Sequence, residues 1–328
     1  MSLLVGVAAL AGTLALGAQA AQRQDRAQVV LITEGCNKSS INCAAFQRAM
    51  RRSGVTAKII APDVREDPVG TLSLLAKQGY ALIIVDINLA DALAEVAPKF
   101  PQARFALVDA PLASLRGHPR NVEAIVDEPN EAAYLAGWLA ARLEQRRRGW
   151  DVVGVVGGYR TPQVEDFVVG FRAGARAADP GITVYVDYSR DFVDVNKCEA
   201  IARNQIAHGA GVVFNVAGLC GLGTLRAAKA EGVWGIGVDS DQSGLGPHIL
   251  TSVTKGYGAL YLELLEQVRR GTIRVGRTTV LTLRTGGAAL GRISPRVPAS
   301  LRAELDRVRH RILAGQIKVP LAPRGPGS

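Results

Sequence analysis

The chain has 328 residues, of which 48% are hydrophobic and 21% are charged. Its length suits two lobes of ordinary domain size, and its composition excludes an intrinsically disordered chain. The net charge of +10 at pH 7 admits a nucleic-acid partner as an alternative. The arginines, however, are spread over predicted helix ends and tails, and no aromatic-and-basic stripe recurs. We therefore expect a basic surface and no nucleic-acid partner.

Residues 1–20 have the character of a signal or targeting segment. The stretch from Leu3 to Leu16 is almost wholly apolar, and Ala18-Gln19-Ala20 has the small-x-small pattern of a signal-peptidase site. The apolar run is shorter than the ~20 residues that a membrane-spanning helix needs, and no cysteine directly follows it for lipid attachment. We therefore expect a mature protein outside the cytoplasm, either secreted, periplasmic or tethered at the cell surface.

Apolar runs that predict buried strands then alternate with amphipathic segments that predict helices. In the first half we predict strands at 27–33, 56–62, 81–87, 104–110 and 122–128, and helices at 42–52, 68–78 and 89–100. A long helix follows from Asn130, which we expect to cap it. Leu135, Leu139 and Leu143 fall on one face of that helix.

The same alternation starts again after the long helix. We predict strands at 151–158, 182–189, 211–217, 233–239, 249–253 and 278–283, and helices at 163–178, 195–207, 222–230, 258–269 and 301–312. The end of the chain, at 319–328, is rich in proline and glycine, and we expect it to form a loose tail.

Continuous apolar strands separated by helices predict an α/β fold of two Rossmann-like lobes, each a parallel sheet covered on both faces. We assign 27–127 plus about 254–280 to lobe 1, and 128–253 plus about 281–318 to lobe 2. Ligands of such sheets bind beyond the carboxyl ends of the strands. The sequence therefore predicts a small-molecule site in a cleft between the lobes, with these two edges facing each other.

The four cysteines, Cys36, Cys43, Cys198 and Cys220, all fall on the predicted carboxyl edges. An even number in an exported protein favours disulfides, and three connectivities are possible. A bond between the lobes would stop a cleft from opening, so we favour Cys36–Cys43 and Cys198–Cys220. Four free thiols are the alternative. No CxxC motif occurs and the four histidines are scattered, so we expect no metal site.

Two motifs at predicted strand ends are candidates for ligand binding. The stretch from Gly218 to Gly223 (GLCGLG) follows a strand and opens a helix. Its glycines would let backbone N–H groups approach a polar ligand, and a simple tight turn is the alternative. Asp239 ends another strand, where its carboxylate can accept two hydrogen bonds from vicinal hydroxyls, as on a sugar. A metal-binding or capping carboxylate is the alternative there.

Three further residues lie at similar positions. Asp127 ends a strand that crosses between the lobes, and Lys255 lies near the second crossing; each is either a ligand contact or a simple surface charge. Phe192 follows a strand and would either stack on a flat ring or pack in a hinge-side core. No GxSxG, GxxxxGK[ST] or HExxH motif occurs, so we expect neither enzyme activity nor a cofactor.

These stretches together resemble the basic membrane protein (BMP) family of ABC-transporter substrate-binding proteins, which includes purine nucleoside receptors. The likeness runs from about Ala27 to about Leu283. It is carried by 131–142 (EAAYLAGWLAAR), 153–159 (VGVVGGY), 167–176 (FVVGFRAGAR), 212–226 (VVFNVAGLCGLGTLR), 236–243 (IGVDSDQS) and 250–255 (LTSVTK). The resemblance implies a type I periplasmic-binding fold.

It also implies roles for individual residues. In nucleoside-binding members, residues at the positions of Asp239 and Lys255 hold the ribose, and the position of Gly218 offers its backbone. A residue matching Asp127 reads the base, and one matching Phe192 stacks on it.

The first loop departs from the family pattern. The family usually has an aspartate-lysine-serine-phenylalanine-asparagine run here, whereas this chain has NKSSIN at 37–42. Asn37 and Ser39 remain candidates for ligand binding. The isoleucine in place of the phenylalanine would cost a bound base one aromatic contact, about 0.5–1.5 kcal/mol.

We therefore expect the substrate-binding protein of an ABC uptake system, a monomer that docks on a membrane permease after the lobes close on a small polar solute. A purine nucleoside is the leading ligand. A ligand-sensing receptor of the same fold is the alternative, and a nucleoside-acting enzyme such as a hydrolase or dehydrogenase is a third class.

Overall fold

The computed structural model describes residues 28–33, 41–60, 66–147 and 151–323. The predicted targeting segment at 1–20 and the first-loop residues Cys36, Asn37 and Ser39 lie outside the described residues. None of the helices in the described ranges combines the length and the apolar character that a membrane crossing requires.

The first half of the chain follows the predicted alternation. Its elements are β1 (Val29–Ile32), α1 (Ile41–Ser53), β2 (Ala57–Ile60), α2 (Pro68–Lys77), β3 (Leu82–Asp86), α3 (Ala90–Val96), β4 (Phe105–Val108) and β5 (Val122–Asp127). The predicted continuous helix at 89–100 is wrong. Short 3₁₀ turns at Ile87–Leu89 and Ala97–Lys99 flank α3. The second turn follows because Pro98 has no N–H to continue the α-helical hydrogen bonds.

The second half repeats the alternation and ends in a short antiparallel strand. Its elements are α4 (Asn130–Glu144), β6 (Val152–Gly157), α5 (Pro162–Ala178), β7 (Thr183–Tyr188), α6 (Val195–Ala207), β8 (Val212–Val216), α7 (Gly221–Ala230), β9 (Trp234–Asp239), β10 (Ile249–Lys255), α8 (Tyr257–Arg270), β11 (Arg277–Leu281), β12 (Ala288–Leu290) and α9 (Ala299–Leu313). The sequence analysis did not predict β12, because three residues are too few to show a periodic pattern.

The strands form two sheets of the same strand order. The first runs β11-β5-β4-β3-β1-β2 and the second runs β12-β10-β9-β8-β6-β7. The pairs from β1 to β5 and from β6 to β10 are parallel, and β12 pairs with β10 in the antiparallel direction. In this doubly wound order the connections reverse direction between β1 and β3, and again between β6 and β8. Ligands bind at such switch points.

The described chain divides into two compact units. Unit 1 comprises the described residues up to Ile125 together with Leu260–Thr279, and unit 2 comprises Val126–Ala259 together with the described residues from Val280 onward. We predicted the chain's return to lobe 1 at about residue 254, whereas β10 stays in unit 2 to its last residue, Lys255.

Helices α4 and α5 of unit 2 pack with their backbones almost in contact. A Cβ atom on Gly137 would lie 2.0 Å from the Phe171 carbonyl oxygen, and one on Gly174 would lie 1.9 Å from that of Tyr134. Only glycine leaves room for this approach. The close pairing presses Leu135 and Leu139 into the core of unit 2, where both are buried.

Two expectations for this region are wrong. Asn130 does not cap α4, because Pro129 occupies the capping position and the Asn130 amide donates instead to the Val319 and Pro320 carbonyl oxygens, at 3.2 and 3.1 Å. The Ala322 N–H donates to Asp166 Oδ1 at 3.0 Å. The described part of the predicted loose tail, up to residue 323, is therefore bound to α4 and α5.

The predicted disulfide between Cys198 and Cys220 is present. It joins α6 to the residue before α7, with 5.5 Å between the two Cα atoms. Cys43 is also disulfide-bonded, and its predicted partner Cys36 lies outside the described residues. The alternative of four free thiols is therefore wrong.

Replacing both Cys198 and Cys220 by alanine should lower the free energy of unfolding by about 3 kcal/mol, because the bond closes a loop with a sequence separation of 22 residues. Urea unfolding of the variant and the wild type measures this difference. The Cys198→Ala single variant is the control, since it loses the same bond and should lose a similar amount. Equal unfolding midpoints for wild type and double variant would contradict the prediction.

The side chain of Glu144, at the end of α4, is 2% exposed. Burial raises the pKa of its carboxyl to about 7. The Arg147 guanidinium and the Gly211 N–H lower this pKa, but their effect is smaller than that of burial. The folded state therefore holds this proton more tightly than the unfolded state, in which the carboxyl has its ordinary pKa near 4.5. Between these two values, stability must fall as the pH rises.

We expect the stability of the wild type relative to Glu144→Gln to fall by on the order of 1–2 kcal/mol between pH 4.5 and pH 7.5. Glutamine keeps the size of the side chain and cannot ionise. Urea unfolding at several pH values measures the difference, and Glu95→Gln, at a half-exposed position, is the matched control. If the stability of the wild type relative to Glu144→Gln stays constant or increases between pH 4.5 and pH 7.5, the raised pKa of Glu144 is refuted.

Candidate functional site

The predicted ligand-binding residues that the structure describes all belong to unit 2. Gly218, Asp239 and Lys255 follow or end β8, β9 and β10, which are consecutive neighbours in the second sheet. Phe192 lies in the connection from β7 to α6. Because these strands are parallel, the residues share one edge of the sheet, which we call the carboxyl edge of unit 2. Asp127 ends β5, a strand of the first sheet, and is half-buried.

Asp239 has a backbone conformation that non-glycine residues rarely adopt, with a φ of 65°. The turn that follows holds it there. The Gln242 side chain accepts from the Val238 N–H at 3.0 Å, and the Gln242 N–H donates to Ser252 Oγ at 3.0 Å. A strained, half-buried carboxylate at a strand end is typical of a binding position, where surrounding contacts offset a cost of about 1–3 kcal/mol.

Lys255 ends β10, the strand that pairs with β9. Strand pairing sets Asp239 opposite Thr254, the residue immediately before Lys255. The Lys255 ammonium donates to the Tyr257 hydroxyl at 3.3 Å and lies 5.3 Å from the centre of the same ring. A carboxylate and an ammonium group therefore stand on neighbouring strands, which can serve a ligand that both donates and accepts hydrogen bonds.

The glycine-rich turn after β8 is explained in part by packing. A Cβ atom on Gly221 would lie 1.5 Å from Asn215 Oδ1, which accepts the Ala217 N–H, and one on Gly223 would lie 1.9 Å from the Val195 carbonyl oxygen. These two glycines serve a tight turn and the contact of α7 with α6. Gly218 differs, because its φ of 56° turns the backbone in the left-handed region directly after the strand.

Phe192 is 39% exposed, which rules out the predicted alternative of a hinge-side core. Its ring covers Gly158, where a Cβ atom would lie 2.2 Å from Phe192 Cε1. Its carbonyl oxygen accepts the Cys220 N–H at 3.0 Å. The side chain is therefore supported from beneath by the turns after β6 and β8, while much of it stays open.

The loop that carries Phe192 is fixed by the preceding carboxylate. Asp191 Oδ1 accepts from the Val193 and Asp194 N–H groups at 2.8 and 3.0 Å, and Oδ2 pairs with the Lys197 ammonium at 2.7 Å. Lys197 and these N–H groups hold the pKa of the Asp191 carboxyl below its usual range. These bonds within the loop fix its backbone.

Sequence reasoning missed two features at strand ends. Tyr159 follows β6 and lies 5.3 Å from Phe192 between ring centres, with the rings inclined by 58°. In unit 1, Asp86 at the end of β3 accepts from Thr33 Oγ1 after β1 at 3.3 Å and from Asn42 Nδ2 at 3.5 Å. The position of these residues directly after apolar strands was the available signal.

The donor set in the described ranges does not suit a metal. Across residues 28–33, 41–60, 66–147 and 151–323, no three His, Cys, Asp or Glu side chains cluster in a way that could hold an ion. The metal alternative for Asp239 therefore receives no support from the described residues around it.

The chain is similar in sequence to known proteins. Basic membrane protein B of Borrelia garinii subsp. bavariensis is 34% identical over 236 residues, covering 70% of this chain and 68% of the relative. The ABC transporter nucleoside-binding protein BmpA of Lactococcus lactis subsp. cremoris is 27% identical over 321 residues, covering 90% and 89%.

The fold is shared with solved structures. The ABC transporter system solute-binding protein from Conexibacter woesei is 26% identical, with a TM-score of 0.72, and the match covers 90% of this chain and 99% of that protein. The predicted type I periplasmic-binding fold is confirmed. The sequence model of the Bmp family, described as ABC transporter substrate-binding protein PnrA-like, matches residues 34–322. The chain therefore belongs to the Bmp family of ABC transporter substrate-binding proteins.

Proposed function

We propose that this chain binds a purine nucleoside and delivers it to the membrane permease of an ABC uptake system. Membership in the family implies a small-molecule ligand, a permease partner and a position outside the cytoplasm. The nucleoside is the finer part of the proposal. It is supported by the Lactococcus relative, whose name describes nucleoside binding, and by the residues at the carboxyl edge of unit 2.

One observation carries the proposal: Asp239 and Lys255 end neighbouring parallel strands, and Asp239 is held at a φ of 65°. Two vicinal hydroxyls of a ribose can donate to the two carboxylate oxygens, and the ammonium can donate to a ribose oxygen. Each such charge-assisted hydrogen bond contributes about 1.5–3 kcal/mol net. In this arrangement Asp239 is the main acceptor, and Lys255 selects for an oxygen-rich ligand.

The base would occupy the apolar part of the same edge. Phe192 offers an open aromatic side chain on an ordered loop, and stacking on a planar ring fits that exposure. Gly218 would place its backbone against the ligand, and Asp127 would accept from the polar edge of the base. Asn37 and Ser39, which lie outside the described residues, complete the set of proposed contacts.

The proposed role needs no chemistry on the ligand, and we propose that the chain is not an enzyme. In this proposal the targeting segment at 1–20 exports the chain, which acts as a monomer at the cell surface or in the periplasm. A sensing receptor would use the same binding residues and differ only in its membrane partner.

Asp239→Asn should weaken binding of inosine or adenosine about 100-fold or more, because the carboxylate is the proposed acceptor for both ribose hydroxyls. Asparagine tolerates the left-handed conformation, so the substitution removes the charge and keeps the backbone conformation. Titration calorimetry measures the change. Asp241→Asn is the matched control, since it removes a neighbouring carboxylate that accepts the Ser243 N–H at 3.1 Å.

Two outcomes are informative in different ways. A wild type that binds none of a panel of purine and pyrimidine nucleosides refutes the nucleoside function. A wild type that binds one of them, with Asp239→Asn binding it equally well, refutes the role of Asp239 alone.

A further inference from the structure

We infer that Tyr159 determines ligand specificity at the carboxyl edge of unit 2, by selecting ligands that carry a planar ring with a polar rim. The inference rests on the proposed function and extends it to a residue that is not among the proposed contacts above. It starts from the finding that two open aromatic side chains lie side by side at this edge.

Tyr159 and Phe192 come from neighbouring strands. Strands β6 and β7 pair in parallel, with Gly157 opposite Tyr188, so the residues that follow them leave the sheet at the same edge. Tyr159 lies two residues beyond the end of β6 and Phe192 four beyond the end of β7. This edge includes the switch point between β6 and β8, where a doubly wound sheet binds its ligand.

The two rings contact each other and are also open to solvent. Their centres are 5.3 Å apart at an inclination of 58°, within the range of favourable aromatic pairs. Tyr159 is 48% exposed and Phe192 is 39% exposed. Burial in the core of unit 2 therefore does not account for two large aromatic residues here, whereas contact with a ligand does.

Hydrogen bonds and packing fix the backbone on both sides of the aromatic pair. The Phe192 ring rests against Gly158, and the Asp191 and Cys220 hydrogen bonds fix its backbone. On the other side, the Thr161 N–H donates to the Tyr159 carbonyl oxygen at 2.9 Å, just before Thr161 caps α5. Because both backbones are fixed, a ligand that contacts the rings would not have to order the loops that carry them.

The Tyr159 hydroxyl is the group of the aromatic pair that can form a hydrogen bond. Within the ranges that the structure describes, this hydroxyl makes no hydrogen bond, and it is attached to a half-exposed ring. A ligand ring stacked on Phe192 would present its rim to Tyr159, where the hydroxyl can donate to a ring nitrogen or a carbonyl oxygen. A ribose without a base would reach Asp239 and gain nothing from Tyr159. The selected ligand class is therefore heteroaromatic.

The test uses the whole chain with Tyr159→Leu, Phe192→Leu, the corresponding double variant, and Val193→Ala as the control from the same loop, where the side chain is 69% exposed. Calorimetry is run with inosine, with the unsubstituted purine riboside, and with ribose. We expect Tyr159→Leu to weaken inosine binding about 2- to 10-fold and to lower the preference for inosine over ribose by the same factor.

The double variant should lose less than the product of the two single losses, since the rings act on one ligand as a pair. Tyr159→Phe keeps the ring and removes the hydroxyl, so it should weaken inosine binding about 2- to 10-fold and leave ribose binding unchanged. A similar loss with the unsubstituted purine riboside indicates a bond to a ring nitrogen, and a loss confined to inosine indicates a bond to its carbonyl oxygen. Circular dichroism checks that all variants keep the fold, and the unfolding midpoint measures what the loss of the contact between the two rings costs in stability.

The possible failures are separable. If the wild type binds inosine and Tyr159→Leu binds it equally well, or if Tyr159→Leu weakens ribose binding as much as inosine binding, Tyr159 has no role in selecting a ring, and the nucleoside function stands. If the wild type binds no nucleoside while Asp239→Asn changes its affinity for another solute, the nucleoside function and this inference both fail.

Discussion

In the second sheet, parallel hydrogen bonding between β8, β9 and β10 makes the residues that follow these strands leave the sheet at one edge. A parallel sheet has all its strand ends on the same side, so a single constraint of the backbone collects residues that are far apart in sequence. Gly218, Asp239 and Lys255 are brought together in this way, and Tyr159 and Phe192 join them from β6 and β7. The site depends on this pairing more than on any one side chain.

Glycine residues let the helices of unit 2 pack closely against their neighbours. At Gly137 and Gly174 it lets α4 and α5 approach until backbone touches backbone. In the first turn of α7, Gly221 leaves room for the Asn215 side chain and Gly223 for the Val195 carbonyl oxygen. Because each position has a neighbouring atom where a Cβ would lie, the helices behind the carboxyl edge have little room to shift. The Cys198–Cys220 bond adds a covalent constraint between α6 and α7. The loops at the edge are thus carried by a rigid frame.

Much of this could be predicted from the sequence, and the failures have physical causes. Buried parallel strands are continuous apolar runs, so β1 to β10 were found, together with the strand ends that hold Asp239 and Lys255. The role of Asn130 was wrong because Pro129 precedes it and the tail supplies partners for its amide. Tyr159 was missed because one aromatic residue after two glycines has no periodicity. Only the conformations of two loops bring it to Phe192.

Hydrogen bonds within unit 2 connect the fold to the proposed binding. The turn that holds Asp239 in a left-handed conformation and the Asp191 network that holds the Phe192 loop are complete within unit 2. The proposed ligand would therefore meet a carboxylate and an aromatic pair whose backbones are fixed by the fold, so that binding would not have to order these backbones. The strain at Asp239 has the same origin, since the packing of unit 2 stabilises a conformation that an isolated strand end would avoid. If the proposal is right, affinity at this edge is decided by how well a ligand matches positions that the sheet has set, and a flexible solute without a ring would leave the aromatic pair without a contact.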